Sequence, residues 1–343
     1  AVFTLPNEIF YPGASASACC MVFKIGRKHS DISTPNTFFG YYKDDGFKKK
    51  KNIGRIEQID PITQTSKWIN IEKEWIDLYR NRREKPGRSA TSAVSASDEW
   101  VCEAYMDTDY TALNESDFIN TLNGYFSYLV SVGKLFDEKF VPSSKYIMDY
   151  FNFLLSHKGN ISKQIDVSNW KEFVYSEIFD VQKGFYNKKP EHSLVGEIPF
   201  LGATERCNGV TEYYSIDDID FASKTGDENN VSIEEKLFSG NALCVTNNGS
   251  VGCAFFQPTT FTCSHDVNPL YILDGCFNMY NALFVATVIE MDKYRWAYGR
   301  KWRPERMIKS TIRLPAKLKD DKYVPDWDYM ENYIKSLPYG DRI

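Results

Sequence analysis

The chain has 343 residues, which is enough for two or three domains with a sizeable core. Its 43% hydrophobic and 25% charged residues are typical of a soluble globular protein, and no apolar run reaches the length of a membrane span. The net charge of −5 does not by itself indicate nucleic acid, since phosphate binding depends on a basic face rather than a basic total.

The first 60 residues predict strands and turns. The chain begins at Ala1 inside a short apolar run, so we expect a fragment of a longer protein or a matured product. Residues 18–23 are fully apolar, which is typical of a buried strand in an α/β sheet, and residues 38–42 predict another strand. Asp44, Asp45 and Gly46 predict a turn before the basic run of residues 48–51.

The next hundred residues mix helical and loop signals. Residues 68–83 have helical apolar spacing, whereas the Ser/Ala-rich residues 89–97 predict a mobile linker. Residues 98–133 contain seven acidic residues and no Lys or Arg. Asn114 offers an N-cap there for an amphipathic helix, which we expect to dock on a partner or a neighbouring domain.

From Trp170 onward, short β-like runs alternate with Gly, Asn and Pro. This texture predicts a curled β domain, with residues 279–291 as its one clear helix. The eight cysteines lie mostly in apolar runs and match no zinc spacing, so we expect buried free thiols in a cytoplasmic protein.

A basic strip covers residues 293–319, where ten cations accompany one acid, Glu305. Aromatic residues such as Trp296 and Trp302 are interleaved with the cations. Arg and Lys next to aromatic rings can neutralise phosphates and pack on sugars or bases, which favours DNA or RNA contact. The alternative is a solvated face that keeps an acidic protein soluble.

A second candidate is the turn of residues 245–252, which contains Thr, two Asn and Ser together with Gly249 and Gly252. Amide side chains can contact adenine edges through two hydrogen bonds, and exposed backbone N–H groups suit phosphate. A plain hairpin turn remains equally open, because Asn-Gly is the commonest hairpin signal.

Catalytic patterns are weak. The four histidines are scattered, and Cys263 with His265 is a possible but unsupported nucleophile–base pair. The carboxylates of residues 326–331 most resemble the capped start of a helix. We therefore predict no catalytic and no metal-binding residues.

Residues 5–14 and 18–24 resemble the closing strands of the adenine-N6 DNA methyltransferase domain found in type I modification subunits and their single-chain relatives. The Asn/Asp-Pro-Pro-Tyr/Phe motif and the Gly-rich S-adenosylmethionine loop of that family occur nowhere in this sequence. The resemblance implies no cofactor for this fragment and S-adenosylmethionine for a missing upstream domain.

From Trp170 the chain resembles the recognition domain of a type I specificity subunit, through ordered short pieces that include residues 179–184, 196–204, 246–252 and 312–315. Such subunits normally carry two recognition domains, whereas here there is one. A single domain after a methyltransferase tail resembles a modification protein with its own specificity module; a combined restriction–modification polypeptide with an upstream nuclease is equally compatible.

The expected fold is mixed α+β. Residues 1–60 are expected to be the edge of a methyltransferase α/β sheet, residues 61–165 a mostly helical connector, and residues 166–343 a β-rich target-recognition domain with one or two helices.

The expected function is sequence-specific recognition of double-stranded DNA for an adenine-N6 methyltransferase in a restriction–modification system, with methyltransferase or restriction subunits as partners and no membrane. The alternative is a protein-interaction module that docks a separate modification subunit. The residues expected to hold phosphates are Arg300, Lys301, Arg303, Arg306 and Lys309. Those expected to face the groove are Thr204, Asn247, Asn248, Ser250 and Tyr298.

Overall fold

The structure, a computed structural model, describes residues 1–14, 17–26, 28–29, 35–133, 149, 152, 163–191, 196–226, 231–297, 299–338 and 340. The chain divides into two compact units, Ala1–Asp109 and Tyr110–Ile343, hereafter unit 1 and unit 2. This boundary does not coincide with the predicted divisions near residues 60 and 165. Within the described residues, no helix is long and apolar enough to span a bilayer.

Unit 1 combines a four-stranded sheet, a helix and a separate hairpin. Its elements are β1 Val2–Thr4, β2 Cys19–Met21, β3 Thr37–Tyr41, β4 Phe47–Lys50, β5 Gly54–Glu57, α1 Lys67–Arg80 and β6 Ser89–Ser92. The sheet has the order β2-β1-β3-β6, in which β1 and β3 are parallel and the other pairs antiparallel. Among the described residues, strands β4 and β5 pair with each other and with no further strand.

Helix α1 confirms the helix predicted from the spacing of residues 68–83. The Ser66 hydroxyl accepts a hydrogen bond from the backbone N–H of Trp68 and so begins the helix. On its buried side, the Trp75 ring stacks on the Tyr42 ring with centroids 4.1 Å apart. The Tyr42 hydroxyl also donates to the Trp75 carbonyl over 2.9 Å, which fixes the helix on the sheet.

Two predictions for unit 1 are wrong. The apolar run expected as a buried strand forms β2, whose residues are all exposed; β2 lies at the edge of the sheet, where it pairs with β1. The stretch expected as a mobile linker begins with β6, which pairs with β3. Backbone groups of any residue type can join a sheet, and the short side chains of Ser89 and Ala90 are buried there.

The cysteines are all free thiols. Burial is confirmed for Cys102, Cys244, Cys253 and Cys263, whereas Cys19, Cys20, Cys207 and Cys276 are exposed. An apolar sequence context therefore predicted thiol burial for only half of them.

Unit 2 contains three sheets and several helices. Its strands are β7 Trp170–Val174, β8 Phe179–Val181, β9 Ile198–Leu201, β10 Val210–Tyr214, β11 Ala242–Thr246, β12 Ala254–Gln257, β13 Thr262–Cys263, β14 Val267–Ile272, β15 Thr311–Lys319 and β16 Lys322–Pro325. Its helices are α2 Glu115–Ser131, α3 Tyr175–Ile178, α4 Ile216–Phe221, α5 Ile233–Lys236, α6 Met279–Met291, α7 Pro304–Met307 and α8 Trp327–Ser336. The sheet orders are β10-β9-β13, β12-β11-β14-β8 and β16-β15-β7. The expected mixed, β-rich class is confirmed.

Helix α6 is the centre of the unit 2 core, and its bounds match the prediction of residues 279–291. It is apolar on all sides, as expected for a helix enclosed by other elements. Phe284 packs against Phe118 of α2, with ring centroids 4.7 Å apart, and against Tyr333 of α8 at 5.6 Å. Helix α2, which the sequence predicts to dock on a partner or a neighbouring domain, therefore buries its apolar face inside unit 2.

Asn278 begins α6 and also ties it to α8. Its side-chain oxygen accepts from the backbone N–H groups of Tyr280 and Asn281, and its amide nitrogen donates to Glu331 over 2.5 Å. We expect Asn278→Ala to lower the free energy of unfolding by about 1–2 kcal/mol in urea titrations, since both functions are lost. Asn278→Ser keeps a capping oxygen and should cost less; equal losses for the two variants would contradict the capping role.

Candidate nucleic-acid interface

Four cations of the predicted basic strip line one hollow on unit 2. The hollow has a volume of about 650 Å³ and is lined by Gly299, Lys301, Arg303, Glu305, Arg306 and Lys309. We call it the basic hollow. Four of the five side chains predicted to hold phosphates are therefore brought together, and the fifth, Arg300, does not line it.

Two buried side chains fix the backbone of the basic hollow. Trp302 is 1% exposed and Met307 is fully buried, and the Trp302 indole N–H donates to the Ser310 hydroxyl over 3.0 Å. Between them α7 starts at Pro304, whose fixed φ suits the first helical position. Because Trp302 and Met307 point into the core, the intervening Arg303 is left exposed.

The tryptophans of the strip are core residues, which corrects the expectation that they could pack on sugars or bases. The Trp296 ring stacks on the Trp302 ring with centroids 4.9 Å apart and an interplanar angle of 9°, and both residues are buried. The Arg300 guanidinium lies 4.4 Å from the Trp296 centroid and donates to the Arg295 carbonyl over 2.9 Å. Arg300 therefore covers this stack and stabilises it through a cation–π contact.

The remaining cations of the strip lie apart from the hollow and contact acceptors elsewhere. Lys293 contacts Glu205 at 3.2 Å, Lys317 contacts Asp328 at 2.6 Å, and Lys319 contacts Asp274 at 3.6 Å. Burial lowers the pKa of Lys293, but its contacts with Cys253 and Glu205 outweigh burial and raise that pKa above its ordinary value. The strip thus divides into cations that hold the domain together and cations that line the hollow.

A second cavity adjoins the basic hollow and shares Lys301, Arg303 and Glu305 with it. Its volume is about 270 Å³, and it is also lined by Lys183, Gly184, Lys224, Asn247, Asn248, His265, Asp266 and Pro304. We call it the Asn248 cavity. The two sequence candidates, the basic strip and the turn of residues 245–252, therefore meet on one surface.

Lys183 and Lys224 add positive charge that sequence reasoning missed. Both are more than 65 positions from the basic strip in the sequence, so no local charge pattern connects them with it. The Lys183 ammonium lies 2.8 Å from the Glu305 carboxylate. This contact lowers the pKa of Glu305 and offsets the one negative charge in the hollow.

Asn247 lines the Asn248 cavity, but its amide is engaged in hydrogen bonds within unit 2. It is 4% exposed, and its amide nitrogen donates to the Asn268 side-chain oxygen over 2.6 Å and to the His265 carbonyl over 3.0 Å. A buried amide is satisfied by such internal bonds. Asn247 thereby ties the turn after β11 to the turn before β14.

Asn248, in contrast, is half-buried and lines the cavity that bears its name. Its amide nitrogen donates to the Asp266 carboxylate over 3.0 Å, which fixes the orientation of the amide. Its side-chain oxygen is buried and has no hydrogen-bond partner. Buried acceptors are normally satisfied, so this oxygen is a group for which a bound donor would be favourable.

Thr204 and Ser250 lie on neighbouring loops but line neither cavity. Both are half-buried. Gly249, between Asn248 and Ser250, has a φ of +64°. A Cβ at this position would lie 3.3 Å from the Ala203 Cβ, so glycine allows the two loops to approach each other closely. Tyr298, the other residue expected to face the groove, lies outside the described residues.

The possible nucleophile–base pair is not assembled for catalysis. Cys263 is fully buried in β13, and burial raises the pKa of its thiol well above its ordinary value. The His265 Nδ1 lies 3.1 Å from the Tyr186 carbonyl, and its Nε2 lies 3.2 Å from Asp266. In the portion of the chain that the structure describes, no group of three or more His, Cys, Asp or Glu could hold a metal ion.

Residues 167–337 match the family model of the type I restriction modification DNA specificity domain. This part of the chain is a DNA specificity domain of that family. It contains every described residue of the basic hollow and the Asn248 cavity.

The specificity domain has a curated relative in the type II restriction enzyme BgcI specificity subunit S.BcgI of Heyndrickxia coagulans. The two are 32% identical over 210 residues, which is 57% of this chain and 54% of that subunit. The chain therefore spans about half the length of this relative.

Two solved structures show a distant similarity to the chain. The type I restriction–modification S subunit from M. genitalium is 13% identical, with 66% of this chain and 47% of that one covered and a TM-score of 0.32. The HsdS subunit from Thermoanaerobacter tengcongensis is 9% identical, with 69% and 51% covered and a TM-score of 0.32. TM-scores this low carry no information about the binding surface.

The division between structural and exposed cations is testable by stability measurements. We expect Arg300→Ala to lower the free energy of unfolding by about 1 kcal/mol, since it removes the contact with Trp296. Arg303→Ala should change it by less than about 0.5 kcal/mol, because this side chain is exposed. Urea titrations of both variants check this, and a larger loss for Arg303→Ala would contradict the assignment.

Proposed function

We propose that unit 2 binds double-stranded DNA at a specific sequence, with the basic hollow holding backbone phosphates and the Asn248 cavity next to the bases. The observation that carries the proposal is the convergence of Lys301, Arg303, Arg306 and Lys309 on one concave surface. Arg and Lys contacts to phosphate position a protein on the duplex, whereas contacts to base edges specify the sequence.

The local charge supports phosphate binding despite the acidic total. The basic hollow and the Asn248 cavity together present six Lys or Arg side chains against two carboxylates, Glu305 and Asp266. A clustered positive surface attracts the duplex and releases its counterions, and this gain depends on the local face rather than on net charge.

Asn248 is the best supported base-contacting residue. Its unpartnered oxygen is buried, so it would accept from the exocyclic amino group of adenine or cytosine after a side-chain rotation that exposes it to the cavity. The amide nitrogen donates one hydrogen to Asp266, and its second hydrogen is available for N7 of adenine. Lys301 and Arg303 line the same cavity and would hold the backbone beside that base.

We further propose that recognition serves an adenine-N6 methyltransferase in a restriction–modification system. Support comes from the resemblance of residues 5–14 and 18–24 to the closing strands of such enzymes. S-adenosylmethionine would supply the methyl group, but the residues of this chain do not fit its binding loop or the catalytic motif, so no step of methyl transfer is assigned to them.

Docking of a separate modification subunit is the second candidate function. A cleft of about 500 Å³ beside α2 is lined by several polar groups, including Asp117, Glu205 and Glu290. Its acidic character is opposite to that of the basic hollow, so it suits a protein partner rather than DNA. Stable co-elution with a methyltransferase subunit, together with no DNA footprint from unit 2, would favour this alternative.

The experiment that tests DNA recognition is a titration of the chain with a random duplex library at two salt concentrations. We expect enrichment of one sequence that persists at the higher salt, because base contacts add to the salt-sensitive phosphate contacts. Binding that is independent of sequence and vanishes at moderate salt would contradict specific recognition.

A double variant tests the basic hollow. Lys301→Gln with Arg303→Gln should weaken binding to every duplex and make the slope of log K against log salt shallower by about 2. Lys317→Gln with Lys319→Gln removes the same charge from side chains paired elsewhere, and should leave the slope near that of the parent chain. Equal changes of slope in the two double variants would contradict phosphate binding by the basic hollow.

Asn248→Ala should alter sequence preference rather than overall phosphate affinity. We expect discrimination at one base pair of the selected site to fall by about 1–3 kcal/mol, with the salt slope unchanged. Library selection with this variant measures both quantities. An unchanged preference at every position would contradict base contact by Asn248.

A further inference from the structure

A second basic surface lies in unit 1, on the hairpin of β4 and β5. The hairpin carries the run Lys48, Lys49, Lys50 and Lys51, all of which are exposed. Its register pairs Lys48 with Ile56, Lys49 with Arg55 and Lys50 with Gly54. Neither the DNA specificity domain nor the basic hollow includes these residues.

The base of the hairpin is anchored. One guanidinium nitrogen of Arg55 donates to both oxygens of the buried Asp45 carboxylate, each over 2.7 Å. The same guanidinium lies 5.4 Å from the Phe47 ring centroid, and the Gln58 N–H donates to the Gly46 carbonyl over 2.8 Å. These contacts brace the base of the ribbon, and the Phe47 ring, whose centroid lies 6.4 Å from that of Trp68 in α1, joins it to the rest of unit 1.

The two faces of the ribbon differ. Successive side chains of a strand point to opposite faces, so Phe47, Lys49 and Arg55 share one face. On that face the Lys49 ammonium lies 4.4 Å from the Tyr11 ring centroid, which turns it toward unit 1. Lys48 and Lys50 share the opposite, outward face.

Within the described part of unit 1, the ion pairs involve other cations. They join Lys43 to Glu103, Arg55 to Asp45, Arg83 to Asp77, and Lys85 and Arg88 to Glu74. Lys48 and Lys50 take part in none of these pairs. Their charges are therefore not neutralised by the carboxylates that serve the rest of the unit.

We infer that the outward face of the β4–β5 hairpin is a second DNA contact, with Lys48 and Lys50 on backbone phosphates. A two-stranded β-ribbon fits the major groove of B-form DNA, and lysines two residues apart on one strand lie about 7 Å from each other along the ribbon. Lys51 and Asn52 at the turn extend the polar tip. The inference rests on the proposed function, since the specificity domain of the same chain makes duplex DNA the favoured polyanion.

The test compares salt-dependent binding of the full chain and its variants to one duplex by fluorescence anisotropy. Lys48→Gln with Lys50→Gln should make the slope of log K against log salt shallower by about 2, without changing sequence preference. Two controls remove charge from other positions of unit 1: Lys73→Gln with Arg80→Gln on exposed sites of α1, and Lys49→Gln on the inner face of the hairpin. The α1 control should leave the slope unchanged, and Lys49→Gln should change it by less than 1.

A slope like that of the parent chain for the Lys48→Gln, Lys50→Gln variant would overturn the inference. The lysines would then serve to keep an exposed strand edge from pairing with another chain. If the Lys301→Gln, Arg303→Gln variant still had a shallower slope than the parent chain in that case, the proposed function would stand. Absence of any DNA binding by the parent chain would instead remove the proposed function. The chain could also co-sediment with phosphatidylserine–phosphatidylcholine vesicles in a way that depends on Lys48 and Lys50. Together with a DNA salt slope like that of the parent chain, this result would overturn the inference and assign the face to a membrane surface.

Discussion

Burial of Trp302 is the constraint on which the basic hollow depends. Its ring packs between core elements, with the Trp296 centroid 4.9 Å away in a stacked contact and the Tyr175 centroid 5.3 Å away in an edge-to-face contact. Together with the buried Met307, it fixes a short segment whose other side chains must face outward. The cations of the hollow are therefore directed by apolar packing rather than by the charges themselves, which repel one another.

The distribution of charge explains how an acidic chain can present a DNA-binding surface. Several cations of the basic strip are used inside unit 2, as Lys293 is with Glu205 and Cys253, and these hold loops together. The cations on the concave surface come from distant parts of the chain, including Lys183 and Lys224. Net charge averages over both kinds and so conceals the local face on which phosphate binding depends.

Much of the architecture could be predicted from local patterns. Residues 279–291 are predicted as the helix that forms α6, and the density of Arg and Lys indicates the basic segment. What local patterns could not reveal depends on pairing between distant residues. The internal hydrogen bonds of Asn247 depend on Asn268 and His265, which lie about twenty positions away in the sequence. The strand pairing of Ser89–Ser92 depends on β3, because serine has little intrinsic preference for strands.

The measurement that tests the central claim most directly is hydrogen–deuterium exchange of the full chain with and without its selected duplex. Bound DNA should slow exchange of backbone amides in residues 299–309 and in the turn of residues 247–250, because these segments form the basic hollow and the Asn248 cavity. A non-selected duplex at the same salt should protect the hollow but not the turn. Protection confined to other parts of unit 2, with residues 299–309 exchanging as in the free chain, would contradict the assignment of this surface to DNA.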